Sequence, residues 1–309
     1  MSERTYRVTH LTRYEYSQAV DYGHNEARLH PRDEGRQRCL EAELQILPEP
    51  ARLHHRRDGF GNQIAYFAVE QRHHALEVRA ESTLTTRPPA GIDPERSPPW
   101  EEVARSLAAT GTGRVGSTDQ LLASTLRLSS PFAGTGREFA SYAAPSFTPG
   151  RPLLQAALEL MARVHRDFTY NPTATNIATP LRRVMRERHG VCQDFAHLML
   201  ACLRSLGLGA RYVSGYLETL PPPGQPKLRG ADASHAWLAV FCPAHGWVDL
   251  DPTNDQVPQT RHLTLGWGRD YGDVMPLNGV IFGGGRTTLS VAVDVQPLPA
   301  VPPMPPMRA

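Results

Sequence analysis

Lysine is almost missing from this chain. Lys227 is the only one in 309 residues, and arginine carries the rest of the basic charge. The 33 basic residues are nearly matched by 31 acidic ones, leaving a formal net charge of +2. A balance that even gives no reason to expect a polyanion, so nucleic acid is not an expected partner. Apolar runs of bilayer-spanning length are also missing, which argues against a helical membrane protein. The opening residues, Met1 to Tyr6, have no apolar leader segment and already look like a strand. Cysteine is scarce. Cys39, Cys192, Cys202 and Cys242 are irregularly spaced, forming neither a disulfide framework nor a CxxC metal pair. The expected compartment is therefore the reducing cytoplasm, where a thiol can stay reactive. No D-x-[DN]-x-[DN]-G loop is present to hold calcium. Gly283-Gly284-Gly285 lacks the strand–helix setting of a phosphate loop and reads as a turn. No cofactor or metal is expected.

Hydrophobic content of 40% and a length of 309 residues suffice for two domains or one large one. Residues 5–16 alternate, with Tyr6, Val8, His10, Thr12, Tyr14 and Tyr16 on one face, as a half-buried strand does. Leu40–Ile46, Ile64–Val69 and Leu76–Leu84 read as further strands, and Asp58-Gly59-Phe60-Gly61-Asn62 as a turn. Residues 1–86 thus read as an antiparallel, sandwich-like β domain. A proline-rich linker with short helices fills 87–150, and a catalytic core of α+β type spans 151–296. The tail from 297 to 309 holds six prolines and reads as disordered. In the core, Leu154, Ala157, Leu158, Met161, Val164 and Phe168 share one helical face. Thr179-Pro180 should cap and open a second helix that stops at Gly190. A third begins at Cys192 and ends at Gly207. Strands follow at 211–218, 235–241, 247–251 and 289–295, with a Pro/Gly-rich loop from Leu220 to Asp232.

Chemistry gathers in the core. Gly190-Val191-Cys192 puts a thiol at the start of a helix, where free N–H groups and the helix dipole favour thiolate. His235 opens a strand, and Asp251 ends the next. Antiparallel neighbours can bring these two together, with the helix start at the same rim. Thiol amide chemistry needs those three parts: a nucleophile, an imidazole to hold and move the proton, and a carboxylate to orient it. Asp249 points the same way along the strand and is the alternative carboxylate. Cys202, on the apolar helix face, reads as core, and Cys242 as structural. His197 reads as a structural hydrogen-bonder. A zinc set of Cys192, His197, His235 and Cys242 has no recognised ligand spacing. His54-His55 and His73-His74 read as solvated surface, and Trp237 and Trp247 as packing residues that could line a cleft.

Three ordered motifs, Gly190-Val191-Cys192-Gln193-Asp194-Phe195-Ala196, Ser234-His235-Ala236-Trp237 and Gly246-Trp247-Val248-Asp249-Leu250-Asp251-Pro252-Thr253, resemble the transglutaminase-like superfamily of papain-like cysteine enzymes. His24–Leu29, Asp58–Asn62 and Gly268–Val274 resemble flanking segments of its bacterial members, so the likeness runs from about Arg4 to Leu298. It implies a nucleophile helix packed on an antiparallel sheet. It further implies Cys192 as nucleophile, His235 as base and acid, and Asp251, the carboxylate before Pro-Thr, as the orienting group. An oxyanion hole would be formed by the Cys192 N–H, with Tyr170 as the side-chain candidate. The implied activity is hydrolysis of a peptide or protein amide through a thioester, with glutamine transamidation or an inactive binding module as alternatives. Residues that bind the substrate are not identified by sequence.

Overall fold

The computed structural model describes residues 3–110, 116–220 and 232–299. The N-terminal domain is an antiparallel sheet organised by one long strand, β1 (Arg4–Ala27), followed by β2 (Gln37–Leu47), β3 (Arg52–Arg57), β4 (Gln63–Val69) and β5 (His73–Thr86). The alternation is realised as expected: Tyr6, Val8, His10 and Thr12 are buried while Arg7 and Arg13 are exposed. Tyr6 sits opposite Leu84 of β5 and Val8 opposite Ser82. The strand order is β2-β5-β1-β4-β3. All six residues of β3 are exposed, so no apolar rhythm marks it in the sequence. His73 corrects an expectation. It is buried rather than solvated, edge-on to Tyr16, with its Nδ1 at 2.7 Å from the Gln71 carbonyl oxygen.

The linker contains α1 (Trp100–Ala109), α2 (Thr118–Thr125) and α3 (Arg137–Ala143). Next come α4 (Leu153–Asp167), β6 (Thr169–Tyr170), α5 (Leu181–Glu187), β7 (His189–Gly190) and α6 (Cys192–Ser205). No helix among the described residues is long and apolar enough to cross a membrane. Two terminus predictions are corrected. Thr179 does not cap α5, because its hydroxyl accepts from the Asn176 N–H at 3.0 Å. Helix α5 ends at Arg188, in the left-handed conformation at φ 59°, two residues before Gly190.

The core sheet is antiparallel in the order β10-β9-β8-β11, made of β8 (Ala210–Leu217), β9 (Ser234–Cys242), β10 (Gly246–Leu250) and β11 (His262–Gly268). Phe195, Leu198, Met199 and Cys202 of α6 pack with Leu238 and Val240 of β9 and with Leu154, Leu160 and Val164 of α4. Each large apolar side chain buried there contributes about 1.5–3 kcal/mol, which fixes α6 flat on the sheet and its first residue at the sheet's rim. The opposite face carries Val213, Trp237 and Ala239 with the half-buried Trp247 and Trp267.

After the short α7 (Tyr271–Val274), the chain returns to the first sheet. Both β12 (Leu277–Gly283) and β13 (Thr287–Leu298) pair with β1, from Ala27↔Leu277 to Thr5↔Leu298. Gly283, Gly284 and Gly285 make the turn between them with φ of 94°, 89° and 63°, values that favour glycine. The last strand, which sequence assigned to the catalytic core, thus belongs to the N-terminal sheet and runs on through Pro297 and Leu298. Long-range pairing of this kind leaves no local sequence mark. The rest of the proline-rich tail and most of the Leu220–Asp232 loop lie outside the described residues.

The two sheets share a core, since Tyr216, Leu263 and Leu265 pack among Val8, Val78 and Val295. Two buried amides reinforce the seam. Gln37 accepts from the Thr264 N–H and donates to its carbonyl, both at 2.8 Å, and Asn62 does the same for Trp267 at 3.0 and 2.8 Å. The Asp58–Asn62 turn presents that amide. Asp58 accepts from the Phe60 and Asn62 N–H groups at 2.9 Å, and Gly61 takes φ 78°.

Candidate active site

Cys192 is the first residue of α6, half-buried, with its helix-start N–H groups unclaimed by the helix itself. The start is fixed by Asp194, which accepts from the Val191 N–H at 2.9 Å and from the Thr175 hydroxyl at 2.6 Å. Gly190 is required here, because a Cβ at that position would lie 2.7 Å from Asp194 Oδ2. Burial raises the Asp194 pKa, against its hydrogen bonds to Thr175 and Val191.

His235, at the start of β9, is buried, and its Nε2 lies 2.8 Å from Asp251 Oδ2. Cys192 and His235 line the same cleft. Burial alone would lower the His235 pKa. Hydrogen bonds to Asp251 and Cys192, with their charges, outweigh it and raise the group to about 10.

Asp251 is fully buried at the end of β10. Its Oδ1 accepts from the N–H groups of Thr253 at 3.0 Å and Asn254 at 3.3 Å. Its Oδ2 accepts from His235, from Asn254 Nδ2 at 2.7 Å and from His262 Nε2 at 3.1 Å. Burial would raise this carboxyl, but the donors hold it well below the usual carboxylate range. A backbone bridge between Asp251 and Gln256 closes the turn that supplies them. His262 itself is lowered, by burial first, with Asp251 opposing. It is the neutral donor to Asp251, and its Nδ1 accepts from the Gln259 N–H at 3.4 Å.

Asp249, the alternative carboxylate, does not reach His235. It lines a separate cavity with Arg36 and Arg211. Tyr170, the side-chain oxyanion candidate, stands next to the chain that leads into α6. It is bridged to Gly190 through the β6–β7 pair, exposed, and its pKa is raised by burial of its ring side and by the nearby Cys192. His197 is structural, as expected. Its Nε2 accepts from the Tyr271 N–H at 3.1 Å, and burial lowers it to about 3. Cys202 is core and Cys242 is buried at the end of β9.

His262 and Asn254 were missed by sequence reasoning. Asn254 carried a usable signal, since Asp-Pro-Thr-Asn is a turn in which Asx side chains bond back to backbone. His262 comes from a strand on the far edge of the sheet and had none. His235, Asp251 and His262 offer ligand atoms within 4.8 Å of one another. Both imidazoles are already spent on the same carboxylate oxygen, so the trio fits a proton-holding network better than a metal site.

The cleft beside Cys192 has a volume of about 260 Å³. One wall is Tyr212 and Ser214 of β8. The other comes from the N-terminal sheet: His10, Thr12 and Tyr14 of β1 with Leu289 and Val291 of β13. His10 is held by Tyr216 Oη at 2.8 Å and Thr12 Oγ1 at 3.1 Å, and burial lowers it to about 4. Tyr212, whose hydroxyl burial pushes well above its ordinary pKa, lines the same cleft as Cys192.

Residues 6–85 match the model of the bacterial transglutaminase-like N-terminal region, and residues 140–252 that of the transglutaminase-like superfamily. The chain belongs to the transglutaminase-like superfamily. An uncharacterized Mycobacterium tuberculosis protein is 44% identical over 301 residues, covering 94% of this chain and 92% of that one. A Cytophaga hutchinsonii structure, a candidate cysteine protease, superposes with TM-score 0.72 at 17% identity, covering 96% of this chain and 92% of that one. It shares the fold. A Pseudomonas aeruginosa protein-glutamine gamma-glutamyltransferase is 34% identical over 98 residues, 31% of this chain and 15% of that protein. The superfamily's papain-like cysteine fold is therefore present together with its N-terminal β domain.

Proposed function

We propose that the protein is a cysteine-dependent amide hydrolase acting on peptide or protein amides through Cys192, His235 and Asp251. One observation carries the reading: buried His235, its Nε2 2.8 Å from Asp251 Oδ2, lines one cleft with the helix-start thiol of Cys192. The Cys192 thiolate attacks the amide carbonyl, forming the S–C bond. The resulting oxyanion is met by the Cys192 N–H and the Tyr170 hydroxyl. His235 gives its Nδ1 proton to the leaving amine, the C–N bond breaks, and a thioester remains. Water, losing a proton to the now neutral His235, attacks the thioester and releases a carboxylic acid and the thiolate. Asp251 stays ionised throughout and fixes the ring.

An apolar cleft wall of Leu289, Val291 and Tyr14 suits a substrate with an apolar side chain next to the reacting amide. A second reading, transfer to an amine acceptor, draws on the local similarity to the Pseudomonas aeruginosa enzyme. It uses the same residues and differs only in what resolves the thioester.

The test is the pH dependence of Cys192 alkylation by iodoacetamide, with His235→Ala as control. Rapid labelling well below the free-thiol pKa of ~8.5, lost in the variant, is expected. Labelling that rises only near that value in both proteins would sink the reading. A glutaminyl peptide with and without a primary amine then separates hydrolysis from transfer.

A further inference from the structure

A second cavity of about 290 Å³ lies at the seam between the two sheets. Its walls come from the 32–37 segment after β1, the 89–92 segment of the linker, and strands β8, β10 and β11. Cys192 and His235 do not line it. Its floor is a ladder of cations and indoles. The Arg32 guanidinium stacks on Trp267 at 3.4 Å, and Arg211 lies over Trp267 at 3.6 Å and over Trp247 at 4.5 Å.

The arginines differ in how well they are satisfied. Arg32 bonds the Phe60 carbonyl, Asn62 and Glu34. Arg36 spends Nη1 on the Gln259 carbonyl at 2.8 Å, but its buried Nη2 has no partner among the described residues. Arg211 is only 8% exposed, and its buried Nε is likewise without a partner. A guanidinium taken out of water with its donors unused is destabilising unless an acceptor meets it. Asp249 lines the same cavity and acts on both cations by charge, with no ion pair to either within contact distance among the described residues. Burial accordingly lowers Arg211 to about 10, with Asp249 opposing, and raises Asp249.

We infer that this cavity binds a small organic monocarboxylate, its oxygens on Arg36 and Arg211 and its apolar body against Trp247, Trp267 and Ile92. The charge count selects the ligand. Glu34 matches Arg32 and Asp249 offsets one of the other two arginines, leaving one positive charge for a monoanion rather than a phosphate dianion. Guanidinium donors suit the planar carboxylate fork. Indole, isoleucine, valine and proline walls favour an organic body over an inorganic ion. Asp249 would meet an ammonium group if the carboxylate belongs to a free amino acid.

Titration calorimetry and tryptophan fluorescence on the full chain, using phenylacetate, phenylalanine and inorganic phosphate, test this. Saturable binding of at least one carboxylate is expected, with Kd at or below about 1 mM. It should weaken at least tenfold in Arg211→Gln and in Arg36→Gln and persist in Cys192→Ala. The ratio of phenylalanine to phenylacetate affinity reports whether Asp249 engages the ammonium. If Arg211→Gln does not fold, Arg36→Gln, altered in a half-exposed segment, decides alone. No saturation by either carboxylate at about 10 mM, equal affinity in the arginine variants, tighter binding of phosphate, or loss of binding in Cys192→Ala would each overturn the assignment.

Discussion

Asp249 and Asp251 are two residues apart on one run of chain, and their surroundings drive them in opposite directions. Asp251 accepts five hydrogen bonds and is held far down in pKa although no part of it meets solvent. Asp249 faces two guanidinium groups across a cavity and is pushed up. Two nearby cations thus hold a carboxylate down less firmly than directed donors do, because directed donors replace the water that burial removes. The rim of the sheet is built to hold a charge in place, and the seam behind it leaves charges to be met by something else.

Removing the charge at each position should separate the two regions most sharply. Asp251→Asn should cut amide turnover about 10³–10⁴-fold, since the imidazole loses both its orientation and its counter-charge. Asp249→Asn should change turnover less than about fivefold. Equal losses would erase the distinction. The next largest effect is expected from His262→Gln, which leaves the triad in place but removes a donor from its carboxylate. Turnover should fall about 10–100-fold, and the pH at which Cys192 becomes alkylated should rise toward that of a free thiol. A fall in turnover with an unmoved alkylation profile would mean that His262 serves packing alone.

Stability against pH sharpens the contrast further. His235 is raised from 6.5 to about 10, so its contribution is complete below pH 6.5 and is lost as pH climbs toward 10. Asp251 is depressed, so its contribution is complete above its ordinary value of 3.8 and is lost as pH falls below it. Urea unfolding across that range should show both slopes in the native protein, and His235→Ala should flatten the alkaline one. The smallest effect should be that of Asn254→Ala, about 1 kcal/mol of stability and a several-fold loss of turnover, measured by the same unfolding series and by peptide hydrolysis.

Cys192, His235 and Asp251 were legible because each sits in a short motif whose local structure the sequence also dictates: a glycine break before a helix, a strand start, a strand end before Pro-Thr. The alternation of Tyr6 to Tyr16 and the helical face of α4 were legible for the same reason. His262 was not, because its meeting with Asp251 depends on strand order across the sheet. The strand β3 hid behind full exposure. The return of β12 and β13 to β1 was hidden by distance along the chain, since Leu289, Val291 and Val293 alternate correctly and say nothing about which sheet they join. Their true neighbour matters to function, because β13 brings Leu289 and Val291 to the Cys192 cleft.

The pairing of Thr5 with Leu298 also sets the order of events during synthesis. On a ribosome, β1 emerges early and must wait for its second neighbour until nearly all of the described chain has been made. The layer that carries Cys192 is in effect an insertion between strands of the other sheet, so no single cut of the chain can release either layer intact. An apolar edge left open for that long is a hazard for a nascent chain, and a ribosome-bound fragment ending before β12 should recruit holdase chaperones that the finished protein ignores.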